Sequence, residues 1–151
     1  MADILHRVGF KAPLDKVYSA LTTQAGLAGW WTRRTQGDSN VGKLITFRFT
    51  EGGQEIGGFD MKVLELTPNR RVLWEVADGP AEWIGTRISF DLKTDGDWTI
   101  LLFKHADWKE PVEFMHHCST KWATFLLSLR DLVETGTGGP DPKDLKISNW
   151  H

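Results

Sequence analysis

Between Ile45 and His105 the apolar residues recur at every second position, and after Pro111 they recur at every third or fourth. This change of period is the strongest constraint on the fold. Side chains alternate faces along a strand and return to one face every 3.6 residues along a helix, so the first region reads as sheet and the second as helix. Ile45, Phe47 and Phe49 alternate with Thr46 and Arg48; Phe59, Met61 and Val63 share a face, and the alternation shifts at Leu64 and Leu66. Val72, Trp74 and Val76 follow, then Ile84, Ile88, Phe90 and Leu92, then a return from Trp98 to His105. Gly52-Gly53, Pro68-Asn69, Asp78-Gly79-Pro80 and Asp95-Gly96 are turn signals, and Gly57-Gly58 predicts a bulge or a close backbone approach.

The helical region holds Met115, Cys118, Trp122, Phe125, Leu126, Leu129, Leu132 and Val133 on one side, and Gly136 stops it. Upstream, Ile4, His6, Val8 and Phe10 read as one further strand, Pro13 to Leu21 as a short helix, and Thr23 to Trp31 as a second. Thr35 to Gly42 reads as a loop. Gly138, Gly139, Pro140 and Pro142 make residues 137–151 an irregular surface tail. The order is strand, two short helices, five strands, long helix. It predicts an α+β domain over residues 1–136, with six antiparallel strands curved around the long helix. One helix cannot cover a strongly curved sheet along its whole length, so the packing predicts an apolar cavity at one end.

Aromatic usage supports such a cavity, with eight Trp and eight Phe against one Tyr. Trp combines a large apolar body with one N–H donor, which suits deep packing or pocket walls. Trp30, Trp31, Trp74, Trp83, Trp98 and Trp122 are the pocket candidates among them. Phe47, Phe59, Met61, Ile88 and Phe103 from the strands, with Cys118 and Phe125 from the helix, complete the expected ligand-binding set. His105 ends a strand face shared with Leu101 and Phe103; it is expected to orient a ligand and is the weak catalytic candidate, as an acid or base.

Other chemistry is scarce. His116, His117 and Cys118 are metal-ligand types, but adjacent helical residues point about 100° apart and cannot converge on one ion, so no metal is expected. Glu65, Asp60, Arg87 and Asp91 sit on strands and are expected to face solvent. There is no nucleophile elbow, phosphate-binding glycine loop, CxxC pair or dinucleotide fingerprint, and no cofactor is expected. A formal charge of −2 gives no footprint for nucleic acid. No apolar run approaches membrane-spanning length. With a single cysteine and no basic-apolar leader at Met1-Ala2-Asp3-Ile4, the expected location is cytoplasmic.

The chain also resembles a known family. Ala12-Pro13, Val17-Tyr18, Ala20-Leu21-Thr22, Leu27 and Trp30-Trp31 carry the resemblance near the start. Val63 to Leu66 with Pro68, Arg71 and Trp74, the strand segments 85–90 and 99–105, and Trp122 with Leu126 and Leu129 continue it in order. These resemble the helix-grip superfamily of START and Bet v 1-like (SRPBCC) proteins, on the branch named after the activator of Hsp90 ATPase homologue. Lys121, where many relatives carry a small residue, and His116-His117-Cys118 depart from the pattern. The resemblance implies a helix-grip fold holding a small hydrophobic molecule, without an assigned reaction. It also raises two alternatives: an activator or docking partner of an Hsp90-type chaperone, and a polyketide cyclase or aromatase. The assembly expected is a monomer or homodimer.

Overall fold

The computed structural model describes all residues 1–151. Strand β1 (Ala2–Phe10) leads into helices α1 (Leu14–Thr22) and α2 (Gln24–Trp30). Six strands follow: β2 (Arg34–Gly37), β3 (Leu44–Glu51), β4 (Gln54–Thr67), β5 (Arg71–Asp78), β6 (Arg87–Asp95) and β7 (Trp98–Trp108). Helix α3 (Glu113–Thr135) closes the series. The strands form one seven-stranded antiparallel sheet in the order β1-β7-β6-β5-β4-β3-β2.

The strand count corrects the expected six. The loop expected over Thr35 to Gly42 begins later, since Arg34–Gly37 pairs with β3 from Arg34↔Arg48 to Gly37↔Ile45. Only Thr35 of this strand is buried. Its hydroxyl donates to the Thr32 carbonyl at 2.7 Å, so side-chain hydrogen bonding rather than a hydrophobic face fixes it.

Elsewhere the periods predict the elements, except that Ile84, expected to begin the strand face of Ile88, Phe90 and Leu92, lies in the β5–β6 connection and is 50% exposed. Ile88, Phe90 and Leu92 of β6 and Leu101 and Phe103 of β7 share one buried core with Cys118, Trp122, Phe125, Leu126 and Leu129 of α3, and His105 of β7 is buried beside Trp122. The phase change at Leu64 is a bulge: β4 pairs with β5 through Val63↔Trp74 and then Glu65↔Leu73. Gly58 is the close approach expected of Gly57-Gly58, since a Cβ there would stand 2.4 Å from the Phe47 carbonyl oxygen. Gly136 caps α3 at φ +89°, donating its N–H to the Leu132 carbonyl. Arg48 pairs with Asp60, Arg71 with Asp91 and Glu65, and Arg87 with Glu75, all at least partly solvated, as strand parity predicts.

Residues 137–151 contain no helix or strand, but they do not lie loosely on the surface. Asp141 is buried; its backbone N–H donates to the Trp31 carbonyl, and its carbonyl accepts from Arg33 N–H. A Cβ on Gly138 would lie 2.4 Å from the Gly29 carbonyl oxygen, so the segment runs tight against α2. Ser128 on α3 links both partners, donating to the Trp30 carbonyl and accepting from Gly139 N–H. No helix is long and apolar enough to cross a membrane.

Candidate functional site

Large aromatic side chains fill most of the space between sheet and helix, but not all of it. At the end formed by the β3–β4 hairpin, the β5–β6 connection and the start of α3, a partly open cavity of about 440 Å³ remains. Its wall is a ladder of rings. Phe59 stacks on Trp83 with centroids 4.1 Å apart, and Trp83 stacks on Trp122 at 5.9 Å. Trp31 packs on Phe59 at 5.7 Å and on Trp122 at 5.0 Å.

Local structure sets each ring. Trp31 follows the last residue of α2 and turns its indole toward the sheet, where it is parallel to Trp74 at 6.1 Å. Trp83 sits in the β5–β6 connection, whose turns are closed by Trp83 N–H to the Pro80 carbonyl and Thr86 N–H to the Trp83 carbonyl. Cys118, Trp122 and Phe125 project from one side of α3 at helical spacing. Trp83 Nε1 donates to Cys118 Sγ at 3.4 Å, and burial pushes the Cys118 thiol up to about 12. At neutral pH the thiol is therefore protonated and not a nucleophile.

His105 lies behind this wall, fully buried, with its ring 4.5 Å from that of Trp83. Trp122 Nε1 donates to Nδ1 at 3.1 Å, and an indole nitrogen can only donate. Nδ1 is therefore the acceptor and Nε2 carries the proton, which it gives to Thr86 Oγ1 at 2.8 Å; Thr86 passes its own to the Trp83 carbonyl at 2.5 Å. Burial holds His105 down at about 3, so it is neutral over the physiological range. Its one lone pair is occupied and it does not line the cavity.

Of the expected pocket and ligand-binding residues, Trp31, Phe59, Trp83, Cys118, Trp122 and Phe125 line the cavity. Trp30, Phe47, Met61, Trp74, Ile88, Phe103 and His105 are in the filled core. Trp98 is nowhere near it. It is 44% exposed, covers Gly9, and has Lys11 Nζ 4.3 Å from its ring centroid. As expected, the three metal-ligand types on α3 diverge: Cys118 points inward, His117 reaches the cavity mouth and His116 is exposed.

Sequence reasoning missed the rim. Phe49 and Phe114 line it, and both carried a signal: Phe49 shares strand parity with Phe47, and Phe114 precedes Cys118 by one helical turn. Trp150 and His151 also line it, with no periodic signal; Trp150 packs against the His117 ring at 5.5 Å. Lys121 is the only buried lysine, and it pairs with Asp144 and donates to the Leu145 carbonyl at 3.0 Å. The family departure at Lys121 is thus the anchor of residues 137–151. His117 is held below the usual histidine range by burial and by the nearby Lys121 and His151.

No curated protein sequence matches the chain. Among solved structures, the Aha1 dimer of Colwellia psychrerythraea is similar at 48% identity and TM-score 0.81, over 91% of this chain and 100% of that one. A protein from Staphylococcus saprophyticus (17% identity, TM-score 0.73, 91% and 95% coverage) shares the fold, as does CalU16 from Micromonospora echinospora (21%, 0.69, 87% and 74%). The sequence pattern of the activator of Hsp90 ATPase homolog 1-like proteins matches residues 11–134, from the turn after β1 almost to the end of α3, and the chain belongs to that family.

Proposed function

We propose that this chain binds a small, flat, hydrophobic molecule in the aromatic cavity, with no reaction assigned to the site. The observation that carries the reading is the unfilled space itself. Side chains pack the rest of the interior, yet about 440 Å³ stays open beside Phe59, Trp83 and Trp122, within the range of small-molecule sites. Parallel ring faces favour a planar guest, and His117 at the mouth is a polar group available to fix its orientation, Lys121 being held by Asp144 and the Leu145 carbonyl. A thermal-shift screen against fatty acids, sterols, flavonoids and aromatic polyketide mimics tests it. A ligand at a hundredfold excess over its dissociation constant adds about 2.7 kcal/mol of stability and raises Tm. No shift across the panel, with the fold intact by circular dichroism, overturns the reading.

A second reading is supported by the family and by the 48% identity to a structure named as an Aha1 dimer: stimulation of an Hsp90-type chaperone ATPase, with self-association. The pure protein is then expected to raise chaperone ATPase turnover, and an unchanged rate removes this reading. The cyclase reading gains no support from His105, whose lone pair is held by Trp122.

A further inference from the structure

Residues 137–151 lie beyond the part of the chain that matches the family, and they carry Asp141, Asp144 and His151. One carboxylate oxygen from each Asp and one ring nitrogen of His151 lie within 4.8 Å of one another. Asp141 is 1% exposed and the Asp144 side chain 2%. The fold supplies a partner for only one oxygen of each. Thr50 N–H donates to Asp141 Oδ2 at 2.9 Å, and Lys121 Nζ holds Asp144 Oδ2. Asp141 Oδ1 and Asp144 Oδ1 are buried with no protein donor, and neither ring nitrogen of His151 has a hydrogen-bond partner.

Buried acceptors without a donor are costly, and two carboxylates side by side repel. A positive species shared between them removes both penalties. Lys121 neutralises one carboxylate; with a neutral imidazole, one net negative charge remains over a convergent set of lone pairs. Two carboxylates and an imidazole suit zinc, manganese or cobalt, whereas magnesium and calcium prefer oxygen donors throughout. His151 Nε2 faces the pair, 3.7 Å from Asp141 Oδ1 and 3.2 Å from Asp144 Oδ2. Glu51 Oε2 lies 3.9 Å from Nδ1, where a second carboxylate commonly orients a metal-bound imidazole.

We propose that Asp141, Asp144 and His151 bind a divalent transition-metal ion, which fastens residues 137–151 beside the mouth of the aromatic cavity. The site stands apart from the ligand reading, since it needs nothing in the cavity. Titration calorimetry of the metal-free full chain with zinc chloride, repeated with cobalt chloride while following visible absorption, tests it. One saturable site is expected, with affinity falling about tenfold or more in Asp141→Asn and in His151→Gln. It should be unchanged in His116→Gln, which removes an exposed imidazole elsewhere. His151→Gln keeps the test open if Asp141→Asn fails to fold, because His151 is the least buried of the three. No saturable binding below about 1 mM, or equal binding in both site variants, overturns the proposal. So does Asp141→Asn raising Tm without any metal response, which would assign a shared proton to the carboxylate pair.

Discussion

Trp30 and Trp31 are neighbours in the chain, and both are almost fully buried, at 0% and 2% exposed. Trp30 belongs to the filled end of the molecule: its Nε1 donates to the Ala20 carbonyl at 2.9 Å and its ring meets the Phe90 edge at 6.3 Å. Trp31 belongs to the open end, packed against Phe59, Trp74 and Trp122 while also bordering the cavity. Solvent exposure does not distinguish them. What differs is whether side chains surround the ring or leave a void beside it, and only the second arrangement leaves room for a guest.

The largest test of this contrast is truncation. Trp30→Ala should cost about 3–5 kcal/mol in urea unfolding, because the filled end cannot collapse around the lost indole. Trp31→Ala should cost at least about 1 kcal/mol less, since part of its surroundings is already empty. Equal losses would break the distinction between the two ends.

Acid is the next lever, through His105 at the boundary of the two regions. Its folded pKa lies below its unfolded value, so its contribution is complete above about pH 6.5 and is lost as pH falls toward about 3. The slope is about 1.4 kcal/mol per pH unit, or about 2–3 kcal/mol between pH 6.5 and 4.5. Urea midpoints measured across that window should flatten in His105→Gln; an unchanged slope would place the acid sensitivity elsewhere.

Trp122→Phe sharpens the same boundary. It keeps an aromatic face toward the cavity but leaves His105 Nδ1 without its donor, at a cost of about 1–3 kcal/mol by chemical denaturation. A loss near zero would mean that the indole acts only as wall. The smallest effect belongs to Phe59→Leu at the rim. It should cost under about 1.5 kcal/mol while reducing the thermal shift given by any ligand from the screen. A larger stability loss, with ligand response intact, would make Phe59 core rather than wall.

The fold was legible where burial imposes a period. Ile88 and Phe90, Leu101 and Phe103, and the α3 face from Cys118 to Val133 each announce which side is inside, and the Leu64 bulge was visible as a change of phase. Thr35 announced nothing, because β2 is held by hydroxyl and backbone bonds that leave no apolar pattern. The site was half legible for a related reason. Parity identifies Phe47, Trp74 and Phe59 alike as inward, but whether an inward ring meets another ring or a void depends on three-dimensional filling. Residues 137–151 are irregular and mostly exposed, in keeping with their Gly and Pro, but the sequence does not show what ties them down. Their anchors, Asp141 to Thr50 and Asp144 to Lys121, are polar contacts between residues far apart in sequence.

The place of β1 in the sheet has a consequence for synthesis. Within the sheet β1 has β7 as its one strand neighbour, paired from Ala2↔Trp108 to Phe10↔Thr99. At typical translation rates, β1 leaves the ribosome about 5–20 s before its partner. During that interval Ile4, Val8 and Phe10 have no sheet to join, and both backbone edges of the segment are open to other chains. Pairing over such long separations is also slow. The sheet is therefore completed late, and substitutions that make β1 more apolar should lower soluble yield before they alter the stability of the finished protein.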